Sequence, residues 1–577
     1  MAGTDVAGFQ AVGANASAPF TLKLHRGEGM VLLGMNWRSG QPPDDFVGFA
    51  IEYREPASDR FWPVSNRLSF ARLDGSAEPK PSSSLRSPIQ KFRWVHFPWD
   101  ASQSGAYTYR VTPVFMDDRD ELSRGPAQEA DIELRRETYP GHLDVGFTRG
   151  FVSSQAFVDD YGAAAIPTLL PPSSTAKSLD FVGTNPRAAQ AYDWMGFQAR
   201  QAILGVLDRA IADKKAKVRA IAYDLDEPEV VSRLEQLGHR LQVIIDDSGA
   251  HGASGSAENE AATRLAASAG ASNVARQHMG NLQHDKIIVV TGPRGWTAVC
   301  GSTNFSWRGF FVQNNNAVVV HGRGPVGAFA DAFDEFWSIH DDDAATFGGS
   351  PCAVWRDLGL AGIDAKVTFS PHAVGNAVLA DIATDIEQHT TSSLFYSLAF
   401  LYQTEGPIKR AIEKVTADDR RFVYGISDEP VGGLEVQTPG GNRAVVSPAA
   451  LRGKLPAPFK AEPTGGKGIR MHHKFVVIDV DEPTARVYFG SYNFSSAADR
   501  DNGENLLLVR DRRVATAYMV EAVRIFDHYE FRLAQEHAHT HAEALLLARP
   551  PRTPGEVAWF AEDWVDPAKI KDRLLFA

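Results

Sequence analysis

Cysteine is nearly absent. Only Cys300 and Cys352 occur in 577 residues, which excludes a disulfide framework and any zinc site built on thiolates. Cys300 ends the apolar run Trp296 to Cys300, a place for a buried, inert thiol. No uninterrupted apolar stretch is long enough to cross a bilayer. The opening Met1-Ala2-Gly3-Thr4-Asp5 has neither a basic n-region nor an apolar h-region, so no signal peptide is expected and the expected location is the cytoplasm. Positive charge is in deficit too: 59 Lys and Arg face 71 Asp and Glu, a net charge of −12. That balance gives no global pull toward nucleic acid or an anionic membrane, although a cleft in an acidic protein can carry local positive potential.

What is present is ordinary for a globular chain, 44% hydrophobic and 23% charged, and its length calls for about two to four domains. Residues 1–18 are rich in Ala and Gly and are expected to be flexible. Over 19–138, short strand patterns alternate with turn clusters: Phe20 to Leu24, Met30 to Trp37, Val47 to Tyr53, Phe92 to Phe97, Ala106 to Phe115 and Ala130 to Leu134. Strands at that spacing predict a small all-β sandwich. With Trp37 on an early strand and Tyr107-Thr108-Tyr109-Arg110-Val111 on a late one, this region resembles a fibronectin type III domain. The resemblance implies an accessory role, with a surface for a protein or surface partner.

From Tyr139 the pattern turns to α/β. Ala188 to Ala212 reads as an amphipathic helix, and helices then alternate with apolar strands, as in a sheet covered by helices. The expected divisions are 139–347, 348–535 and a tail, 536–577, whose Trp559, Phe560 and Trp564 pack back onto the body. Asp428 to Gly468 is a long Gly/Pro-rich segment of the kind that is functional or disordered.

Two stretches carry the chemistry. His284-Asp285-Lys286 opens one apolar run, and His472-His473-Lys474 opens another that ends at Asp479. On a strand, positions i and i+2 share a face, so each His-x-Lys pair points one way. Each is followed by a second strand and a turn, Gly301-Ser302-Thr303-Asn304-Phe305-Ser306 and Gly490-Ser491-Tyr492-Asn493-Phe494-Ser495. His284 precedes Gly301 by 17 residues and His472 precedes Gly490 by 18, so one gap aligns the copies. Fourteen residues past each Gly lie Asn315 and Glu504. Repetition at a separation of 188 residues implies two similar subdomains with a site between them.

These motifs resemble the phospholipase D superfamily, whose signature is His-x-Lys-x4-Asp given twice, each followed by a Gly-Ser/Gly-x-x-Asn element. The second copy carries His472, Lys474 and Asp479 in full, then Gly490, Ser491 and Asn493 as a close variant of that element. The first has Thr291 where the Asp belongs, a loss also seen in tyrosyl-DNA phosphodiesterases. The resemblance covers about residues 145 to 535 and implies two α/β/α subdomains with mixed sheets in a pseudo-two-fold arrangement. It implies a phosphodiesterase that works without metal or other cofactor, through a covalent phosphohistidine resolved by water or an acceptor alcohol. In that scheme His284 is the nucleophile and His472 the acid/base. Lys286, Lys474, Asn304 and Asn493 hold the phosphate oxygens, and Asp479 and Glu504 complete the catalytic set. Ser302, Ser491, Ser306, Ser495 and Asn315 are expected to bind substrate. Glu504 is expected beside His472, favouring its imidazolium, and Asn315 beside His284. The absence of a compact His/carboxylate cluster along the chain agrees with a metal-free site.

A phospholipid substrate is slightly favoured. A metal-independent nuclease of the same superfamily and a catalytically decayed binding protein are the alternatives. His537, His539 and His541 are read as a solvated segment, and Phe395-Tyr396 and Phe400-Leu401-Tyr402 as core. His372 is placed at the border of the cleft.

Overall fold

A computed structural model describes residues 8–72, 81–98, 103–150, 157, 160–339, 343–401, 404, 406–427, 445–446, 471–540 and 544–577. Most of the segment 428–468 and His541 lie outside these residues, as do the side chains of His537 and His539.

The first part is all β. Gln10–Val12, Phe20–Arg26, Val31–Trp37 and Arg93–His96 make one antiparallel sheet, and Leu122–Arg124, Gly105–Met116, Phe46–Arg54 and Trp62–Pro63 make another, with Gln128–Leu134 on the long strand. Alternate residues point inward: Phe20, Leu22 and Leu24 from one sheet meet Phe46, Phe49, Tyr107 and Tyr109 from the other. The hydroxyl of Tyr107 donates to the Gln103 carbonyl at 3.0 Å. One expectation is corrected here. The N-terminal segment is not loose as far as residue 18, because Gln10–Val12 pairs with Phe20–Arg26 and Ala18 is buried.

Two larger mixed sheets follow, and they share one plan. The first runs Leu143–Phe147, Asn316–His321, Gly295–Gly301, Lys286–Gly292, Lys217–Ala222, Leu241–Asp246, Val274–Gln277. The second runs Asp364–Ser370, Glu504–Arg510, Arg486–Gly490, Lys474–Ile478, Ser393–Leu398, Phe422–Ile426, Val445–Val446, with Arg356–Asp357 added at its edge. In both, the last three strands are parallel and the other neighbours antiparallel. The His-x-Lys copies thus open equivalent central strands.

Continuous apolar runs on these strands reflect burial of both faces. Ile287 and Val289 enter a core shared with Phe475 and Val477 of the other half, while Ile288 and Val290 face the helices Ala188–Ala212 and Pro228–Leu237. Val476 and Ile478 face Leu379–His389 and Pro407–Thr416. The shared core makes the two halves one packed unit and brings the ends of the central strands together.

A long helix, Arg512–Thr540, crosses both halves and continues through the boundary expected at 535. Its Arg513 forms a buried ion pair with Glu28 of the β region at 2.6 Å, which Thr138 also joins. At the C-terminus Trp559 and Phe560 pack on Phe46, and Trp564 on Phe92. Among the described residues no helix is long and apolar enough to cross a membrane.

Candidate functional site

His284 and His472 meet where the two sheets abut, their ring centroids 6.4 Å apart and both rings nearly buried. What brings them together is main chain. Gln283 bridges Gly503, and Met471 bridges Asn314. The Gly503 amide donates to Leu282, and the His472 amide to Asn314. Each histidine is therefore laid beside the opposite half's Asn or Glu.

This arrangement corrects the expected pairing. Glu504 accepts from Nδ1 of His284 at 2.7 Å, and Asn315 Oδ1 accepts from Nδ1 of His472 at 2.9 Å. An alignment shows which residues correspond but not which half they serve. Asn315 can face only this way, because its amide nitrogen donates to Gly309. With Nδ1 of each ring engaged, each Nε2 is left for a substrate.

The ammonium of Lys474 donates to the His472 carbonyl at 2.8 Å, and that of Lys286 to the His284 carbonyl. Lys286 also lies over the Tyr223 ring, 4.7 Å from its centroid. Burial, then the two lysines, hold both histidines well below the ordinary imidazole pKa. Burial also lowers Lys286 to about 8 and raises Glu504 to about 8. Burial, then Lys286, holds Lys474 well below the ordinary lysine range as well, so an incoming anion favours the charged form of both lysines.

The turns that follow are built for support. Gly301 and Gly490 have φ of +126° and +151°, and a Cβ there would collide with the carbonyl oxygens of Asn316 and Asn505. The four serines expected to touch substrate are each engaged within the protein. Ser302 donates to Asn315, and Ser491 accepts from the Asn505 amide and bonds Glu504, so both steady the groups that hold the histidines. Ser306 and Ser495 cap the short helices Trp307–Phe311 and Ser496–Arg500. Asn315, fully buried, has its side chain engaged by the His472 ring.

Asp479 is also displaced from the chemistry. It sits past the far end of the Lys474–Ile478 strand, about 20 Å from His472 at ~3.3 Å per residue. There its carboxylate takes the amides of Thr391 and Ser392, each at 2.8 Å. Thr291, which replaces it in the first copy, likewise lies toward the far end of its strand from His284, in Lys286–Gly292. Asp479→Ala is expected to lower unfolding free energy by about 1–3 kcal/mol for the orphaned amides, read by urea denaturation, with kcat unchanged.

Several residues that sequence reasoning missed surround the pair. Tyr223 packs against His284 with centroids 4.6 Å apart, and Asp224 accepts from Asn304 at 2.6 Å. Asp224, His251 and Glu258 converge within 4.8 Å, a His/carboxylate group that no local spacing reveals because distant loops supply it. Phe400, read as core, stands beside His472 with centroids 6.3 Å apart. The strand ends carried the one available signal. Lys286 pairs with Ala222 and Lys474 with Leu398, so Asp224 and Phe400 each lie two residues past those partners. His372 is buried against Asp499 and Thr368.

The family described as "Cardiolipin synthase, PLD-like domain" matches residues 207–337 and 452–526, one segment around each His-x-Lys copy. The match places a PLD-like domain over those two segments. The chain's similarity to a "Phospholipase D" of Rickettsia felis is 40% identity over 48 residues, 8% of this chain and 22% of that protein. The chain therefore spans about a fifth of the length of the curated relatives it matches. Among solved structures, phosphatidylserine synthase of Haemophilus influenzae is 12% identical, covering 56% of this chain and 84% of that one, with a TM-score of 0.38. Nuc of Salmonella typhimurium is 25% identical, covering 25% and 90%, with a TM-score of 0.21.

The geometry defines what the site can do. The two ring centroids stand 6.4 Å apart, a separation on the scale of one phosphorus held between two reacting groups. Asn304 and Asn493 each keep a buried Oδ1 without a protein partner.

Proposed function

We propose that this protein cleaves a phosphodiester by double displacement. The observation that carries the reading is the buried His284/His472 pair, each ring held through Nδ1 by a side chain of the other half. Nε2 of His284 attacks phosphorus, and the bond to the leaving oxygen breaks as His472 delivers its Nε2 proton to that oxygen. Water or an alcohol then attacks phosphorus, His472 takes its proton, and the P–N bond electrons return to His284. Burial, then the neighbouring lysines, hold the His472 pKa well below the ordinary imidazole range, and the charge of a bound diester favours a proton there. Lys286, Lys474, Asn304 and Asn493 stabilise the charge that develops on the phosphate oxygens.

Glu504 supports the nucleophile. A phosphorylated imidazole retaining Nδ1–H is cationic, and a carboxylate 2.7 Å away stabilises it. Asn315 offers His472 no such charge, which leaves that ring's conjugate acid readier to give up its proton. The assignment of His284 and His472 is the one expected from the resemblance, but its physical reason is the reverse of the expected pairing.

The substrate we favour is a phospholipid. The net charge of −12, and Asp224, Asp246 and Glu258 beside the His284 side, suit a single diester better than a polyanion with many phosphate contacts. The β region, as a fibronectin type III-like accessory domain, would present the site to a surface or partner. The test is a comparison of phosphatidylcholine, single- and double-stranded DNA and bis-p-nitrophenyl phosphate, with and without chelator. Turnover of the lipid and the small diester, unaffected by chelator, is the expected result. Preference for DNA would replace the substrate assignment, and chelator-sensitive turnover would overturn the mechanism.

A further inference from the structure

A third histidine stands directly behind the His284 half of the site. His251 lies in the loop between Leu241–Asp246 and the helix Ala257–Ala269. Its Nδ1 meets Asp246 at 2.7 Å and its Nε2 meets Asp224 at 3.1 Å, with Glu258 3.9 Å from the same nitrogen. Both ring nitrogens thus face carboxylates, an arrangement that only the imidazolium satisfies with two donated protons. Burial opposes that charge, but the bonds to Asp224 and Asp246 push His251 up to about 10.

The two carboxylates lead into the site by different routes. Asp246 accepts from the amide of Gln283, the residue before His284, at 2.7 Å. Asp224 accepts from the amide nitrogen of Asn304 at 2.6 Å. Tyr223 fills the space between, with ring centroids 4.6 Å from both His251 and His284. The fold itself does not require this relay. The position equivalent to Asp224 in the other half is Phe400, and that half builds the same sheet without a carboxylate there.

We propose that His251 is a positioning residue for phosphate capture: its imidazolium holds Asp224 turned toward Asn304, so that Asn304 presents its second amide N–H to a phosphate oxygen. One N–H of that amide is committed to Asp224, which decides the orientation of the group and leaves the other for substrate. The cation also offsets the Asp224 charge, whose side chain is 23% exposed and would otherwise repel the anion. The proposal rests on the phosphate-binding reading of the site given above.

The test is a double-mutant cycle of His251→Ala and Asn304→Ala, read by bis-p-nitrophenyl phosphate turnover and by vanadate binding. Asn304→Ala is expected to lose about 10²–10³-fold in kcat. His251→Ala should lose about 10–100-fold, mainly in kcat, and His251→Gln, which keeps a neutral donor at one nitrogen only, should fall between. The double variant should be no worse than Asn304→Ala alone. Multiplying losses, or unchanged kcat in a folded His251→Ala protein, would overturn the proposal. So would wild-type turnover lost to chelator and restored by Zn²⁺ or Mn²⁺, since Asp224, His251 and Glu258 would then be metal ligands. Should the wild type bind vanadate but turn over no diester, the catalytic reading fails by itself. The His251 proposal then stands or falls on whether His251→Ala weakens vanadate binding.

Discussion

Replacing His284 with Ala is expected to lower diester turnover by about 10⁴–10⁶-fold, the scale seen when a covalent nucleophile is removed. The more informative measurement is on His472. On the proposed mechanism the first displacement onto His284 needs an acid only in proportion to the basicity of the leaving group, whereas the second needs His472 to take a proton from water. His472→Asn, given bis-p-nitrophenyl phosphate, should therefore release one equivalent of nitrophenol in a burst and then stall as a phosphoenzyme. With a ³²P-labelled diester, acid-labile label should map to the peptide containing His284. Label on the peptide of His472 in the His284→Asn protein, with none in the reverse experiment, would exchange the roles. No label in either variant, with turnover retained, would remove the covalent pathway.

The second large effect is expected at Glu504. Glu504→Gln keeps the shape and a hydrogen-bonding group but cannot balance the cationic phosphohistidine, and a loss of about 10²–10⁴-fold in phosphoenzyme formation is expected. The pH profile separates this from simple misfolding. Burial lifts Glu504 to about 8, so in the wild type the carboxylate needed beside His284 appears as pH rises through that value. Burial brings Lys286 down to about 8, so its charge is lost over the same span and the rate should turn down again. Because the two groups attract one another, the limbs of this narrow bell belong to the pair and not to either residue. Glu504→Gln should lose the ascending limb and keep the descending one. Asn315→Ala should behave differently, slowing diesters with poor leaving groups by about 10–100-fold while scarcely affecting nitrophenyl release. Equal losses on both leaving groups for Glu504→Gln and Asn315→Ala would mean that the cross-pairing does not divide the labour.

These expectations depend on a fact that no reading of the chain supplied. Both copies of the motif, their register and their partners Asn315 and Glu504 were visible in the sequence, since a repeat in register is a one-dimensional property. The alternation that buries Ile287 and Val289 on one side and Ile288 and Val290 on the other was likewise visible as an unbroken apolar run. The pairing was not, because it depends on bridges between strands 220 and 157 residues apart, Glu504 to His284 and Asn315 to His472.

The motif serines show the same limit from another direction. A hydroxyl in a Gly-Ser-x-Asn-Phe-Ser turn is equally suited to holding a phosphate or to capping a helix. Local backbone geometry decides this, and in Ser306 and Ser495 it decided for the cap. Asp479 was taken for part of the site because the signature includes it, yet a strand's length separates it from His472. The His251 relay could not be read at all: Asp224, Asp246 with His251, and Asn304 come from three separate segments, and nothing periodic links them.

By itself, then, the sequence determined the repeat, the β region ahead of it, the two mixed α/β halves and the identity of the two histidines and lysines. These follow from periodicity and composition, which act over a few residues. Only the tertiary structure decided which half steadies which histidine, where the motif serines and Asp479 belong, and that an imidazolium stands behind Asn304. Those are matters of distance between segments, and they are set by the single core in which both sheets bury their inner faces.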